Sequence, residues 1–273
     1  MQHGEQTGHL PFSDPTRWDK MAATYGAQSQ PFTAHFAEAA VATLAISPSS
    51  KVLDVATGTG VAALAAARTG AQVTAIDFSA GMVQRVRAHG VANIEAQQMD
   101  GQALDLPDAA FDAVTSVFGV MLFVDWRAGL REMARVTRPG GSAAIAVWKS
   151  PDGAAVHLMV SRIIRTLYPD LAVQSPATGL TALADPGRFA AAVVAAGFVD
   201  PKITEVTHDF ILDVADDHGA DRLFEFGPQW QTLNEAQRAA VAREFAMQVE
   251  RGRSGNVFPI PSTALIATAR RPS

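Results

Sequence analysis

The stretch Lys51–Gly60, KVLDVATGTG, constrains the fold of this chain more than any other. Val52, Leu53 and Val55 form a short apolar run that gives way to small residues, and an alanine-rich helical pattern follows from Val61 to Ala67. Strand, small-residue turn and helix in that order form one arm of a parallel α/β sheet. Gly58 and Gly60 carry no Cβ, so backbone amides and a helix N-terminus can come up against a polar ligand. Two ligand classes use such a turn. Read forward from Gly58, G-T-G-V-A-A fits a dinucleotide fingerprint, which leaves an NAD-dependent oxidoreductase open. Asp54 points elsewhere, because it lies inside the strand where a dinucleotide fold usually packs an apolar residue.

The alternation of strand and helix continues beyond the turn, as a parallel sheet with right-handed crossovers requires. Ala71–Asp77 reads as a second strand ending on an acid. There a carboxylate can accept from both hydroxyls of a ribose, at close to the ~20-residue spacing expected after a glycine turn. Asp77 could also simply cap the helix beginning near Ser79. Phe78 and Met82 stand at that helix start, placed to lie against an adenine ring or to join the core. A third strand, Asn93–Met99, ends in M-D-G-Q, and Phe111–Phe118 reads as a fourth. A helix over Trp126–Thr137, capped by Asp125, then leads through RVTRPGG into a fifth strand, Ser142–Trp148.

The order Asp54, Ala56, Gly58, Gly60 resembles motif I of the class I S-adenosylmethionine-dependent methyltransferases. The M-D-G-Q loop and the R-P-G-G turn follow in that family's order, and the similarity is to its ubiquinone/menaquinone-biosynthesis type. The resemblance covers Lys51–Trp148 and only outlines the rest. It implies a doubly wound, mostly parallel seven-stranded sheet whose last strand is antiparallel and inserted beside strand five, with helical lid insertions. It implies S-adenosylmethionine as cofactor and S-adenosylhomocysteine as product. In the family's manner, Asp100 would accept from the adenine amine while the amides of Gly101 and Gln102 donate to the ring, and Phe118 would line the same site. Asp54 is expected to organise the loop and the cofactor's amino-acid end rather than take a proton. Ala56 departs from the commonest glycine, and its methyl group is tolerable if the position offers its backbone without a left-handed turn.

Composition narrows the partners. With 27 acidic against 22 basic residues and a formal charge of −5, the chain offers no basic field for a nucleic acid. It has no cysteine, and its seven histidines form no H-x-x-x-H pair, so no metal site is expected. The N-terminus lacks a signal-peptide pattern and no run approaches the ~20 apolar residues of a membrane span. A cytoplasmic enzyme of a small molecule, monomeric or homodimeric, is expected.

The flanking segments carry the acceptor side of this reading. Residues 1–14 read as a flexible tail and 15–273 as a single domain, with N-terminal lid helices over 15–47, a cofactor core over 51–148, and substrate-side helical insertions over 149–185 and 213–256. Asp14 and Pro15 start the first helix, on which Trp18, Met21, Ala22 and Tyr25 share a face and which Gly26 can end. A second helix, opened by Pro31, runs to about Ile46. A strand is expected over Pro201–Leu212, a helical block over Asp216–Arg251 and a last strand over Ser262–Ala269. Trp18, Tyr25, Phe224 and Trp230 are aromatic side chains outside the core strands and are expected to form a substrate lid. His157 and Tyr25 are the candidates for a catalytic base, with His208 behind them. The expected function is methyl transfer to an oxygen, nitrogen or carbon of a small apolar or aromatic metabolite. The alternatives are a cofactor-bound catalyst of non-methyl chemistry and a catalytically silent regulatory protein of the same fold.

Overall fold

A computed structural model of the chain describes residues 13–149, 155–171, 179–214 and 230–273. Two helices come first. Asp14 accepts from the amide and hydroxyl of Thr16 at 2.9 and 2.7 Å, so α1 (Pro15–Gln28) starts at the Asp-Pro pair. Gly26 does not end it. The helix runs on to Gln28, and Gly26 instead gives close approach to Arg85, whose Nη2 would lie 3.2 Å from a Cβ at that position. α2 (Gln30–Val41) stops short of Ile46, where the Thr43 hydroxyl turns back onto the Ala40 carbonyl at 2.6 Å.

The sheet then builds by alternation: β1 (Lys51–Val55), α3 (Val61–Ala67), β2 (Gln72–Asp77), α4 (Ala80–Ala88), β3 (Ile94–Gln98), β4 (Phe111–Val117), α5 (Trp126–Val136) and β5 (Thr137–Trp148). After these come α6 (Ala155–Leu167), α7 (Gly179–Ala182), α8 (Pro186–Ala195), β6 (Val199–Asp213), α9 (Glu235–Gly252) and β7 (Val257–Arg270). The strands form one seven-stranded sheet in the order β3-β2-β1-β4-β5-β7-β6. The first five are parallel, and β7 runs antiparallel between β5 and β6. Strand order reverses at β1 and β4, so a crevice opens beyond their carboxyl ends. β5 begins at Thr137, earlier than its apolar run, because the R-P-G-G turn joins the sheet through a register shift opposite Phe111 and Ala113.

The central strands are covered on both faces, and Val52, Leu53 and Val55 are fully buried. β6 and β7 are longer than their apolar patterns. They pair from Val199 opposite Arg270 to Asp213 opposite Val257, whereas β5 accompanies β7 only as far as Ala264. The remainder projects past Trp148 as a two-stranded ribbon. Pro259 and Pro261 lie in the part of β7 with β6 as its one neighbour, where a missing N–H costs no second ladder. α6 and α9 cover one face of this ribbon, and Ile163, Leu212, Phe245 and Ile260 meet there in a second apolar cluster. Asn234 and Gln237 close the start of α9 as a reciprocal capping box, both bonds at 2.9 Å. Among the described residues no helix is long and apolar enough to cross a membrane.

Phe36 ties α2 to the sheet. Its fully buried ring meets Phe32, Phe118 and Trp148 at centroid distances of 5.2, 5.4 and 5.2 Å. Phe36→Ala is therefore expected to cost about 3–5 kcal/mol and to lower the melting temperature by roughly 10 °C. Calorimetry checks this, and a shift of a degree or two would contradict it.

Candidate functional site

The turn after β1 takes a left-handed backbone at alternate residues, with φ +54° at Ala56, +55° at Gly58 and +95° at Gly60. Ala56 therefore does make the left-handed turn that its methyl group argued against, at a cost of about 1 kcal/mol. Gly119, just beyond β4, accounts for the fit. A Cβ on Gly119 would lie 2.4 Å from that of Ala56, so the alanine methyl occupies the room that a bare residue leaves opposite it. The two glycines of the turn differ in what they do. A Cβ on Gly58 would meet nothing within 4 Å, whereas one on Gly60 would press on Val86 at 3.2 Å. Gly58 faces open space, and Gly60 lets α3 pack on α4.

Two carboxylates hold this turn. Asp54 is 1% exposed, and its Oδ2 accepts from the Thr57 hydroxyl at 2.6 Å and the Ala63 amide at 2.9 Å. Burial pushes its carboxyl up to about 7, with these two bonds pulling the other way. Asp77 accepts the Gly58 amide on Oδ2 and the Ser79 amide on Oδ1, both at 2.9 Å, and burial pushes its carboxyl up to about 6. Ser79 is the N-cap of α4, its hydroxyl accepting the Met82 amide at 3.1 Å. Asp77 thus braces both the turn and the start of α4.

A cavity of about 210 Å³ lies over the turn. Ala56, Gly58, Asp77, Phe78 and Met82 line it. So do Asp100, Gly101 and Gln102 after β3 and Phe118 after β4. Trp18, Ser13 and Thr33 contribute from the N-terminal segment. Asp54 and Gly60 do not line the cavity but shape it from behind. Asp100 Oδ1 accepts from the Gln102 amide and side chain at 2.9 and 3.0 Å, and Gln102 Oε1 accepts the Asp125 amide at 2.7 Å, which joins the loops after β3 and β4. Asp125 also caps α5 through the Ala128 amide at 2.9 Å. With carboxyl groups, amides and apolar side chains together in its wall, the lining has the mixed character that an adenosine-bearing cofactor demands, and Gly58 leaves room for it.

Other residues fall elsewhere. Trp230 packs at the margin of the second apolar cluster and does not line the cavity. His208 stacks on His35 at 4.7 Å, with the edge of Phe36 against it, and is likewise not in the lining. Tyr25 and His157 lie on α1 and α6, but their side chains are outside the described residues, as is all of Phe224. The sequence reasoning missed Phe123. Its ring rests on two glycines, since a Cβ on Gly101 would come within 2.6 Å of it and one on Gly129 within 2.5 Å. Only the pairing of two distant glycines around one aromatic signals it, and that pairing is tertiary.

Two measurements follow from this geometry. Gly119→Ala is expected to destabilise the protein by about 1–3 kcal/mol through overpacking, and adding Ala56→Gly is expected to restore most of that loss. Additive losses in the double variant would contradict the contact. The second concerns pH. The folded protein holds protons on Asp54 and Asp77 that the unfolded chain, with carboxyls at their ordinary 3.8, has already released. Stability of the ligand-free protein should therefore fall as pH rises from about 4 to about 7, by on the order of a few kcal/mol, and level off above. Asp54→Asn keeps an oxygen for both hydrogen bonds while removing the titration, so it should flatten much of that slope in denaturant unfolding. An unchanged slope would contradict the assignment.

Comparison with known proteins adds the chemistry. A family model described as a methyltransferase domain matches residues 52–141. The chain is 36% identical over 173 residues to a demethylmenaquinone methyltransferase of Mycolicibacterium vanbaalenii, a match covering 60% of this chain and 75% of that protein. Among solved structures, a protein of Bacillus halodurans superposes with a TM-score of 0.59 at 18% identity, over 87% of this chain and 99% of that one. Phosphoethanolamine N-methyltransferase 2 of Haemonchus contortus, solved with S-adenosylhomocysteine, gives 0.58 at 15% identity, over 97% of this chain and 60% of that one. These two likenesses show the fold, and the curated relative carries the family. The cofactor is accordingly S-adenosylmethionine. The chain belongs to the class I S-adenosylmethionine-dependent methyltransferases, in the ubiquinone/menaquinone-biosynthesis type of that family.

Proposed function

We propose that this methyltransferase binds its cofactor across the carboxyl ends of β1 and β4 and methylates a small aromatic acceptor, a reduced quinone that lacks one methyl group being the first to test. The observation that carries the reading is that one cavity has Asp77, the Asp100–Gln102 loop and Phe118 in its wall. In this reading Asp77 accepts the ribose hydroxyls, Phe78 and Met82 lie against the adenine, and Asp100 receives its amine. Asp54 stays behind the turn and keeps the Gly58 backbone presented.

The bound cofactor supplies an electrophilic methyl group on a sulfonium, so no protein nucleophile is required. What remains for the chain is to align the acceptor and keep water out. Phe118 is suited to both. Its backbone is left-handed at φ +62°, and its ring stacks on Trp148 at 3.7 Å with 13° between the planes. Phe32 lies nearly parallel to Trp148 at 5.9 Å. A flat acceptor ring packs well against such rings. α1 and α2, with Trp18 and Thr33 in the cavity wall, act as the lid over 15–47, and the helical segments within 149–185 and 213–256 enclose the acceptor. Tyr25 and His157 remain the candidates for taking the acceptor's proton. The name of the M. vanbaalenii relative favours a demethylated menaquinol as acceptor.

Incubation with methyl-labelled cofactor and a demethylated naphthoquinol is expected to transfer label to the quinol, whereas label recovered only in an unrelated metabolite of an extract would overturn the acceptor. Asp77→Ala should weaken S-adenosylhomocysteine by roughly 2–4 kcal/mol, or about 30- to 1000-fold, for lost charge-assisted hydrogen bonds. Unchanged affinity by calorimetry would remove Asp77 from the ribose.

A further inference from the structure

One residue of α1 reaches the base of the cofactor side. Asp19 Oδ1 accepts the Ser79 hydroxyl at 2.6 Å and the Gly81 amide at 2.8 Å, across 60 and 62 positions of chain. Both donors belong to the start of α4. Ser79 is its wholly buried N-cap, and Gly81 is where the two helices touch, since a Cβ there would lie 2.9 Å from the Asp19 Cα. A carboxylate at this spot also complements the open amides and partial positive charge of a helix N-terminus. The bonds from Ser79 and Gly81 hold the Asp19 carboxyl below the ordinary carboxylate range.

Ser79 passes the contact on. Its hydroxyl donates to Asp19 and accepts from Met82, while its amide donates to Asp77 Oδ1. The contacts thus run from the Asp19 carboxyl through the hydroxyl and backbone amide of Ser79 to the Asp77 carboxyl in the cavity wall, and the residue before Asp19, Trp18, lines the same cavity. We propose that Asp19 is a positioning residue for cofactor binding: by fixing Ser79 it fixes the Asp77 carboxylate that receives the ribose. It does so only while α1 is docked, which makes the ribose site and its cover a single unit. This rests on the ribose reading of Asp77. Both hydrogen bonds end on one oxygen of Asp19, so an amide oxygen in its place can keep them, whereas a methyl group cannot.

The test is calorimetric titration of the full chain with S-adenosylhomocysteine and with its 2′,3′-dideoxy analogue, for wild type, Asp19→Ala, Asp19→Asn and Asp77→Ala. Asp19→Ala is expected to weaken S-adenosylhomocysteine by about tenfold and the dideoxy analogue much less. At saturating cofactor its kcat should stay within about twofold, since binding and not the transfer step is affected. Asp19→Asn should recover most of the affinity. The proposal is overturned if Asp19→Ala binds like wild type, if it loses both ligands equally, as a loosened fold would, or if Asp19→Asn is as weak as Asp19→Ala. Full affinity in Asp77→Ala would instead bring down the ribose reading, and this proposal with it. Loss in Asp77→Ala beside an unaffected Asp19→Ala would leave that reading standing and reject this role alone.

Discussion

A carboxylate buried at the end of a strand sets the geometry of the whole site. Removing Asp54 from water is costly unless its oxygens are bonded, and the donors at hand are the Thr57 hydroxyl and the Ala63 amide. To bring both to one oxygen, the chain between them must curl back over the strand end. That curl demands left-handed backbone at Ala56, Gly58 and Gly60, and it turns the bare face of Gly58 outward. The upward displacement of the Asp54 carboxyl is what remains of the burial cost after the two bonds are made. Asp77 repeats the device on the neighbouring strand, fastening the turn from its other side through the Gly58 amide. The cavity is thus moulded by two carboxyl groups whose hydrogen bonds go to the backbone and side chains around them.

How much of this was legible follows from how local each feature is. The β1–α3 turn, the acid closing β2 and the Asp100–Gln102 loop lie within short windows where residue type and period speak directly, and the family model matches the same region. The handedness of Ala56 was misread because Gly119, which makes it tolerable, lies on another strand's loop. Gly26 resembles a helix terminator when only its neighbours are seen, yet its use is to admit Arg85. Phe123 and Asp19 act through partners remote in sequence, and neither stands in a recognisable motif. An aromatic residue announces burial without saying where, and for Trp230 the margin of the cluster on the projecting ribbon is a place no local pattern names.

The aromatic pile beside the cavity joins the two halves of the molecule. Phe32 and Phe36 come from α2, Phe118 from the end of β4, Trp148 from the end of β5, and Phe210 from β6, whose ring meets Phe32 edge-on at 5.3 Å. Five rings from four elements lock together here, and Phe118 also lines the cavity. Rigidity at the site is therefore shared with the core, since Phe118 cannot shift without moving Trp148 and Phe36.

The place of β7 in the sheet has a consequence for synthesis. β5 completes its antiparallel side only with residues Ala264–Arg270, and β6 pairs with the same strand. As the chain emerges from the ribosome, the parallel half can form while β5 still shows a row of unpaired amides and carbonyls over buried-type residues such as Ile145 and Val147. More than a hundred residues must follow before that edge is closed. The nascent protein thus spends much of its translation with an adhesive strand exposed, and a chaperone that shields this edge would find its substrate before the last strand arrives.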